Sequence, residues 1–531
     1  MWLRVHQIVV CLDYTETEVV GATARRLACR KEDLHDIAVI RRSLDARQRD
    51  RPPRFVLTVD VEYRGAVAVV LAKGRVEKVP PTSVDHHLPV RSTRPGRRPV
   101  VIGAGPAGLM AALVLAEAGF HPRVFERGLA VEARRRDVET FWRRGVLDAE
   151  SNVLFGEGGA GLFSDGKLTT RIKDRGRIRR FLQILVDCGA PSDILIDAEP
   201  HLGSDALAAI MPVIRDRIQD RGGSITFGSR MEALHIEQGA IRGVTVSGTA
   251  VDTEACFLAT GHSARDVYEM LASAGVPLEP KPFAIGVRLE IPQHRIDIAQ
   301  YGRYADHPRL RGASFRLTRR PEEGARSCYS FCMCPGGTVI ACASSEEMLT
   351  TNGMSLSKRA DPFGNAAFLV PVRPADFADM GGGPSLGGVR LQQRTERAAF
   401  RAGGGDFTVP AQPLTAFLAG ERPREIPEVR SCTRAIAADL TDVLPPFVTD
   451  TLRMAIPRML RDLRGVRMED ALLYGAETRS SSPVRVLRRE DTGSSVGLAG
   501  LYPIGEGAGY AGGIVSSAVD GLRAAEQFLQ L

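Results

Sequence analysis

Residues 99–127 constrain the fold more than any other stretch of the sequence. They begin with an apolar run, 100–102, which has no polar alternation and is typical of a strand buried on both faces. Composition then predicts a helix over 106–118 and a second short strand over 122–125. Three closely spaced glycines separate the first strand from the helix, and a glutamate follows the second strand. This order of elements indicates a βαβ unit in a doubly wound parallel sheet.

The glycines have the spacing Gly103-x-Gly105-x-x-Gly108. In such a turn the first glycine allows the tight bend, the second lets the backbone approach a pyrophosphate, and the third lets the helix pack closely against the strand. The helix N-terminus adds unpaired N–H groups and a partial positive charge. Glu126 lies 18 residues after Gly108, where a carboxylate accepts hydrogen bonds from a ribose diol. The unit therefore predicts a dinucleotide-binding domain.

Three later segments are predicted to approach the same ligand. The loop 151–171 contains glycines that allow backbone contact, an apolar strand ends at 260–261, and a glycine turn at 505–513 precedes a helix. A helix N-terminus placed there favours negative charge on the ligand. The residues predicted to contact the dinucleotide are Gly103, Ala104, Gly105, Pro106, Ala107, Gly108, Glu126, Arg127, Gly158, Gly159, Gly161, Met231, Thr260, Gly261, Gly505, Glu506, Gly512, Gly513 and Ile514.

The whole chain is predicted to be of the α/β class, with a small module before the dinucleotide-binding domain and an insertion within it. Strand, helix and paired strands near the start are typical of a ferredoxin-like split βαβ module, and Pro-, Lys- and Arg-rich sequence after it predicts a linker. The predicted units are a ferredoxin-like module over 1–75, a linker over 76–98, the dinucleotide-binding domain over 99–275, an inserted, mainly antiparallel substrate domain over 276–440, and a helical segment over 441–531 that returns to the dinucleotide-binding domain. Within the insertion, the glycines of 381–388 predict a turn.

Composition and charge exclude several classes of protein. The 531 residues are 44% hydrophobic and 25% charged, as in an ordinary globular protein. The net charge of +7 comes mainly from arginines spread along the chain, without the interleaved basic and aromatic residues expected for nucleic-acid binding. No apolar stretch approaches the roughly 18 residues that span a bilayer, and nothing at the start resembles a signal peptide. We therefore expect a cytoplasmic protein without a membrane partner.

The nine cysteines are an odd number and do not form a disulfide framework. Cys328, Cys332, Cys334 and Cys342 lie close together but lack the paired C-x-x-C spacing of a structural zinc site, and we predict no metal site. Alternation along a predicted strand would place Cys332 and Cys334 on one face. They are candidates for redox or substrate-facing thiols, and small buried residues are the alternative interpretation.

Several of these segments together resemble a known family. The sequence is similar to FAD-dependent dehydrogenases that carry the FAD-dependent protein C-terminal domain, and the similarity covers nearly all of the chain after about residue 99. The matching segments are 103–108, 155–168, 259–268, 329–337, 352–355, 477–485 and 502–521. The resemblance implies a glutathione-reductase-type FAD fold with FAD as the cofactor, in a family whose reaction is largely undefined.

The reaction can be narrowed by what the sequence lacks. It contains one complete dinucleotide fingerprint, so it has no second domain of this kind for a nicotinamide cofactor. No C-x4-C follows the first helix, which argues against a pyridine-nucleotide disulfide reductase. FAD as the sole obligatory cofactor favours hydride exchange between flavin N5 and a small organic substrate. A monooxygenase with transient NAD(P)H binding and a nucleic-acid-associated flavoprotein are the alternatives.

Five side chains are candidates for the catalytic region. Lys167, Arg479 and Tyr510 are predicted to orient a polar or anionic substrate at the flavin, with Cys332 and Cys334 as further participants. The sequence shows no catalytic triad, so the acid and the base stay unassigned. The electron partner and the oligomeric state are also open.

Overall fold

The computed structural model of the protein describes residues 1–48, 51–65, 76–79, 98–320, 325–432 and 434–530. The helices are α1 (Glu16–Leu27), α2 (Pro106–Glu117), α3 (Val131–Arg144), α4 (Arg175–Asp187), α5 (Ser204–Gln219), α6 (Arg265–Ser273), α7 (Gln293–Tyr301), α8 (Gly383–Ala402), α9 (Leu414–Ala419), α10 (Pro446–Leu460) and α11 (Ile514–Gln530). Among these described residues, no helix has the length and apolar character needed to cross a membrane.

The strands belong to several sheets. They are β1 (Trp2–Val10), β2 (Leu34–Asp45), β3 (Arg54–Tyr63), β4 (Val76–Lys78), β5 (Val100–Ile102), β6 (Arg123–Phe125), β7 (Ser224–Thr226), β8 (Met231–Glu237), β9 (Ala240–Val246), β10 (Thr249–Asp252), β11 (Cys256–Leu258), β12 (Leu278–Pro280), β13 (Phe283–Pro292), β14 (Thr318–Arg319), β15 (Cys328–Cys334), β16 (Thr338–Cys342), β17 (Thr350–Met354), β18 (Phe363–Val372), β19 (Val409–Pro413), β20 (Ala435–Ala437), β21 (Leu472–Glu477), β22 (Val484–Val486) and β23 (Leu501–Pro503).

The first module is a four-stranded antiparallel sheet in the order β2-β3-β1-β4, with α1 against β1. Helix α1 begins where the Thr15 hydroxyl and the Glu18 carboxylate cap each other's backbone N–H groups. The predicted boundary at residue 75 is wrong, because β4 adds an edge strand to this sheet. The remainder of the predicted linker, 80–97, lies outside the described residues.

A five-stranded parallel sheet in the order β23-β11-β5-β6-β7 forms the centre of the dinucleotide-binding domain. Its strands are short and apolar because both faces are covered, one by α2 and α11 and the other by the antiparallel strands β8, β9 and β10. Helix α2 is buried along nearly its whole length against the sheet, and α11 lies beside it. Strands β8, β9 and β10 form an antiparallel meander at 231–252.

The inserted domain is a seven-stranded sheet in the order β14-β15-β18-β13-β21-β19-β20. Helix α10 and the β16–β17 hairpin pack against β13 and β18, and this buries nearly every residue of β13. The predicted domain end at residue 440 is wrong, since α10 covers this sheet and β21 is one of its inner strands. The predicted turn at 381–388 is also wrong from Gly383 onward, because α8 begins there.

The chain crosses between the two domains twice, at the antiparallel pair formed by β12 and β22. Helix α8 packs against both of these strands and against α6, so it lies at the junction of the domains. The first module contacts the dinucleotide-binding domain through Arg42, whose guanidinium donates to Asp193 and Asp197 at 2.8 Å each. These contacts fix the module beside the segment that leads into α5.

Candidate functional site

A cleft of about 1860 Å³ lies between the parallel sheet and the seven-stranded sheet. Its floor is formed by the residues that follow the carboxyl ends of β5, β6, β11 and β23, where ligands of open α/β sheets bind. A pocket for one drug-sized ligand has about 300–1,000 Å³. This cleft therefore has room for a dinucleotide and a second molecule.

The glycine turn after β5 has the packing expected of a dinucleotide site. Gly103 has φ +104°, and a Cβ there would lie 2.5 Å from the Ala259 carbonyl oxygen. A Cβ on Gly108 would overlap the Gly103 carbonyl oxygen, so α2 approaches the strand only because residue 108 is glycine. Gly105 lines the cleft, and a Cβ there would have only the Gly159 Cα near it, at 3.7 Å. The first and third glycines shape the turn, and the second leaves its surface open.

Two helices direct their N-termini into the cleft. Pro106 begins α2 and Ile514 begins α11, and both residues line the cleft. Gly513 has φ +87°, and its N–H donates to Glu506 at 3.1 Å. Because the first-turn N–H groups of a helix lack intrahelical partners, each N-terminus attracts an anion. The two ends suit the phosphates of a dinucleotide.

Glu126 is buried, and its carboxylate accepts three backbone N–H groups. Oε2 accepts from Ala104 at 2.7 Å, and Oε1 accepts from Gly128 at 3.0 Å and from Gly156 at 2.9 Å. A carboxylate has about four lone-pair positions, so one remains for a ribose hydroxyl. The predicted ribose contact stays a prediction, and the structure adds that this residue joins three loops of the site.

Two further predicted residues, Arg127 and Met231, line the cleft. Arg127 directly follows Glu126 in sequence. The Arg127 guanidinium donates to Glu150 at 2.8 Å and to Asp266 at 3.0 Å, and lies 4.1 Å from the centre of the Phe155 ring. This stacked arginine forms a flat wall at that end of the cleft. Met231 is the first residue of β8.

Most of the other predicted dinucleotide contacts line the cleft, and three do not. Those that line it are Gly103, Gly105, Pro106, Ala107, Glu126, Arg127, Gly159, Gly161, Met231, Thr260, Gly261, Gly505, Glu506, Gly512, Gly513 and Ile514. Ala104, Gly108 and Gly158 are behind its surface. The Gly158 N–H donates to the Ala104 carbonyl at 2.9 Å, which ties the two glycine loops together.

Lys167 and Cys332 form part of the wall on the second-domain side. The Lys167 ammonium donates to the Met333 carbonyl and lies 3.7 Å from the Asp165 carboxylate. Cys332 has φ +45° at a bulge of β15, and burial raises the pKa of its thiol. The thiol is therefore protonated at neutral pH and is a poor nucleophile.

Cys334 does not share the face of Cys332, and the prediction that both thiols face the ligand is wrong. The β15 bulge lies between Phe331 and Cys334 and breaks the alternation. Cys334 is fully buried, its Sγ–H donates to the Cys332 carbonyl, and burial raises its pKa to about 12. It is a packing residue behind the wall.

Arg479 lines the cleft but is held by a buried carboxylate. Its guanidinium donates to Glu396 at 2.8 and 3.0 Å and to Ser344 at 2.8 Å, and Arg265 donates to the same carboxylate. Burial opposes ionisation of Glu396, yet the charges of Arg265 and Arg479 hold its pKa well below the usual range. Three N–H groups of Arg479 are thus engaged by Glu396 and Ser344, which weakens the case for it as the anchor of an anionic substrate, although two arginines on one carboxylate keep a net positive charge.

Tyr510 lies on the rim of the cleft and is partly exposed. Its ring is 4.0 Å from the Arg488 guanidinium and 5.3 Å from that of Arg485. Its hydroxyl accepts the backbone N–H of Arg488 at 3.3 Å. These contacts hold the ring in place and leave its role toward a substrate as a prediction.

The sequence analysis missed two polar groups on the cleft surface. Glu477 ends β21 and receives both arms of the fully buried Arg288, at 2.6 and 3.0 Å, and Arg288 also donates to Asn352 at 3.1 Å. His262 lies 3.8 Å from Glu506, and burial lowers its pKa to about 3 and raises that of Glu506. Glu477 ends a buried strand and His262 lies four residues after the end of β11, and these positions near the ends of buried strands are the signal that would have found them.

The residues of the cleft fit FAD. The space above Gly105 is open to a pyrophosphate, two helix N-termini meet there, and Glu126 keeps one acceptor position. Bound FAD would be held by the glycine turns 103–108 and 505–513. The glycine turns, the helix N-termini and Glu126 all belong to the part of the chain that the structure describes.

Comparison with known families agrees with the assignment of the cleft as an FAD site. The family description "FAD binding domain" matches residues 98–255, "FAD-dependent protein, C-terminal domain-like" matches 282–480, and a domain of unknown function, DUF8436, matches 3–62. An uncharacterized protein of Clostridium beijerinckii is 40% identical over 543 residues, which cover 100% of this chain and 99% of the relative.

Solved structures are similar only at a distance. L-proline dehydrogenase from P. horikoshii has 12% identity and a TM-score of 0.32, with 82% of this chain and 94% of that chain covered. Halogenase PltM, in complex with FAD, has 9% identity and a TM-score of 0.36, with 81% and 68% covered. The family matches and the full-length relative carry the assignment instead: the chain belongs to the family of FAD-dependent oxidoreductases that join an FAD-binding domain to the FAD-dependent protein C-terminal domain.

Proposed function

We propose that the protein transfers hydride between flavin N5 and a small organic substrate that binds against the seven-stranded sheet. The observation that carries the proposal is the shape of the cleft, which continues from the FAD-binding turns to a second wall formed by β13, β15, β17 and β21. Its volume exceeds that needed for one ligand. A flavin supplies an atom that accepts or donates hydride, and the protein supplies position and electrostatics.

The residues of the second wall suit a polar substrate group. The Lys167 ammonium is fixed by the Met333 carbonyl, so it presents positive charge without a large entropic cost. Glu477 and Asn352 are fixed by Arg288 and present acceptors and donors on the same wall. A substrate carbonyl, hydroxyl or amine placed there would be oriented by hydrogen bonds from both sides.

His262 and Glu506 are on the FAD-binding side of the cleft. With its low pKa, His262 is a neutral imidazole at neutral pH, and its Nδ1 has no hydrogen-bond partner among the described residues. Through a free nitrogen, a neutral imidazole accepts one hydrogen bond from a ligand or donates one to it. We assign the pair to the contact with bound FAD, and leave substrate orientation to Lys167.

The experiment that tests the proposal begins with the visible spectrum of the purified protein, followed by anaerobic titration with NADH, NADPH and a panel of organic hydride donors. We expect bound flavin that stays oxidised with both nicotinamides and bleaches with an organic donor. Rapid bleaching by a nicotinamide would favour a reductase or monooxygenase instead. The lack of flavin after reconstitution with FAD would overturn the proposal.

A Gly105→Ala variant tests the site itself. The added Cβ has an ordinary contact at 3.7 Å and a permitted φ of −79°, so the fold is unaffected, but the methyl group occupies the surface that a pyrophosphate approaches. We expect FAD affinity to fall at least about tenfold, which corresponds to about 1.4 kcal/mol, with an unchanged melting temperature of the apoprotein. Gly176→Ala, at an open position on α4, is the matched control and keeps its flavin. Equal flavin content in both variants would contradict the assignment of the turn.

A further inference from the structure

One buried carboxylate, that of Asp165, lies in the cleft wall between two cations. Asp165 is 1% exposed, and the Ser355 hydroxyl donates to its Oδ1. The Arg359 guanidinium donates to Oδ1 at 3.2 Å and to Oδ2 at 2.6 Å. The Lys167 ammonium lies 3.7 Å from the same Oδ2. Because Lys167 and Arg359 both approach one oxygen atom, the two cations are neighbours.

These side chains form a group that is here named the Asp165 cluster and consists of Asp165, Lys167, His201, Ser355 and Arg359. The His201 Nε2 lies 3.9 Å from Asp165 Oδ1 and has no hydrogen-bond partner among the described residues. Burial lowers the pKa of His201 to about 4, so its imidazole is neutral at neutral pH. Two cations and one carboxylate remain, and the Asp165 cluster therefore has one positive charge in excess.

Both cations keep hydrogen-bond donors for a ligand, and both line the cleft. Arg359 uses two of its five N–H groups on Asp165, and Lys167 donates one of its three to the Met333 carbonyl. Neither makes another hydrogen bond within the part of the chain that the structure describes. The Arg359 side chain is 11% exposed, so water and salt screen its charge only weakly. An acceptor that enters the cleft here meets unused donors and unbalanced charge.

The Asp165 cluster adjoins the second wall, against which the substrate binds in the proposed function. Met333, whose carbonyl binds the lysine of the cluster, follows Cys332, and the Cys332 carbonyl accepts from Arg288 at 3.1 Å. Arg288 and Glu477 pair as one cation and one anion, so their charges balance. The excess charge on this stretch of the wall therefore belongs to the Asp165 cluster.

We propose that Lys167 and Arg359 bind a carboxylate group of the substrate. The inference rests on the proposed function for the identity of the ligand as the substrate, and on the Asp165 cluster for the binding site. A carboxylate has two acceptor oxygens for charge-assisted hydrogen bonds from the two cations, and its single negative charge equals the excess of the cluster. A phosphate monoester with two negative charges would leave one of them without a counter-charge in a largely buried site. The substrate class that follows is organic acids.

The test is a fluorine NMR titration of the FAD-saturated protein with trifluoroacetate, a small carboxylate whose signal reports weak binding. FAD saturation keeps the probe out of the phosphate positions of the cofactor. We expect saturable binding at one site, weakened at least about tenfold in Lys167→Met and in Arg359→Gln. The matched controls are Lys281→Met and Arg230→Gln, which remove the same charges from other positions of the same cleft and should keep the affinity within about twofold. Monofluorophosphate, a dianion, should bind more weakly than trifluoroacetate.

A second measurement uses the unaltered protein, so it decides the question even where a variant fails to fold. Methyl acetimidate modifies accessible lysines, and peptide mass spectrometry follows each site. Lys167 is 30% exposed and open to the reagent. Saturating trifluoroacetate should slow its modification at least about fivefold and leave that of Lys281 unchanged.

The inference would be overturned by no saturable binding of trifluoroacetate, by an equal loss of affinity in the variants and their controls, by tighter binding of monofluorophosphate, or by unprotected Lys167. A cluster that only joins the two domains predicts the first and the last of these results. The flavin content of each sample, read from its absorption spectrum, is a separate result. A protein that never takes up FAD would overturn the proposed function, whereas the difference between variants and controls still decides the carboxylate site.

Discussion

At the scale of single residues, Glu126 has a larger structural role than its place in the fingerprint suggests. Its carboxylate accepts N–H groups from Ala104, Gly128 and Gly156, which belong to three different loops. Buried N–H groups are costly when unpaired. The residue that is predicted to select the ribose therefore also holds the loops around it in position.

This arrangement gives a prediction for Glu126→Gln. The amide nitrogen of glutamine cannot accept a hydrogen bond, so at least one of the three N–H groups loses its partner. We expect the free energy of unfolding of the apoprotein to fall by about 1–3 kcal/mol, measured by urea denaturation. Glu237→Gln, at the exposed end of β8, is the control and should change it by less than about 0.5 kcal/mol. Equal stability of the two variants would show that the three bonds do not matter.

The glycine roles were predictable from sequence, whereas the buried ion pairs were not. Gly103, Gly105 and Gly108 follow from local chemistry, because their neighbours along the chain define the turn. Glu396 joins Arg265 and Arg479 across 131 and 83 residues of sequence. Such a contact depends on tertiary packing, and one sequence gives no signal for it.

At the scale of elements, the contact between α2 and α11 determines the geometry of the FAD-binding end of the cleft. A Cβ on Gly521 would overlap the Ala107 carbonyl oxygen, so the two helices touch backbone to backbone. Both helices direct their N-termini into the cleft. A small change in their separation would therefore move one phosphate-binding end relative to the other.

Gly521→Ala tests this contact. The extra methyl group forces the helices apart, and overpacking of this kind costs about 1–3 kcal/mol of folding free energy. We expect a lower melting temperature and a weaker FAD affinity, followed by calorimetry and fluorescence titration. For the control Gly176→Ala, in the open first turn of α4, we expect unchanged or slightly raised stability. A melting temperature for the 521 variant equal to that of the wild type would mean that the helices separate without cost.

Element prediction succeeded where the pattern was local. The βαβ unit at 100–125 agrees with the sequence analysis within a few residues. It failed at α8, whose first turn is glycine-rich although its remaining turns are buried at the domain junction. It also failed at β21, which pairs with β13 although about 180 residues separate them in sequence, a non-local pairing that composition does not reveal.

At the scale of the whole molecule, two buried histidines couple stability to pH. Burial lowers the pKa of His201 to about 4 and that of His262 to about 3. In the unfolded chain both titrate near pH 6.5. Between these values the unfolded state binds more protons than the folded state, so stability is full above about pH 6.5 and is lost as the pH falls.

The prediction concerns His201, which lies outside the cleft lining. Between pH 7.5 and 5.0 it should account for about 2 kcal/mol of the lost free energy of unfolding. His201→Gln should remove this part of the pH dependence, whereas His294→Gln, on an exposed helical position, should keep it. Urea denaturation of the FAD-saturated variants at the two pH values measures both. The same dependence of the free energy of unfolding on pH in both variants would mean that His201 is not the titrating group.

The arrangement of the parallel sheet also has a consequence for the order of events during synthesis. The FAD-binding site is formed partly by the turn at 103–108 and partly by β23 and the start of α11. The ribosome synthesises the second part about 400 residues after the first. A nascent chain that has folded its first module and its glycine turn still lacks one helix end and one edge strand. We therefore expect stable uptake of FAD only after the start of α11 has been synthesised.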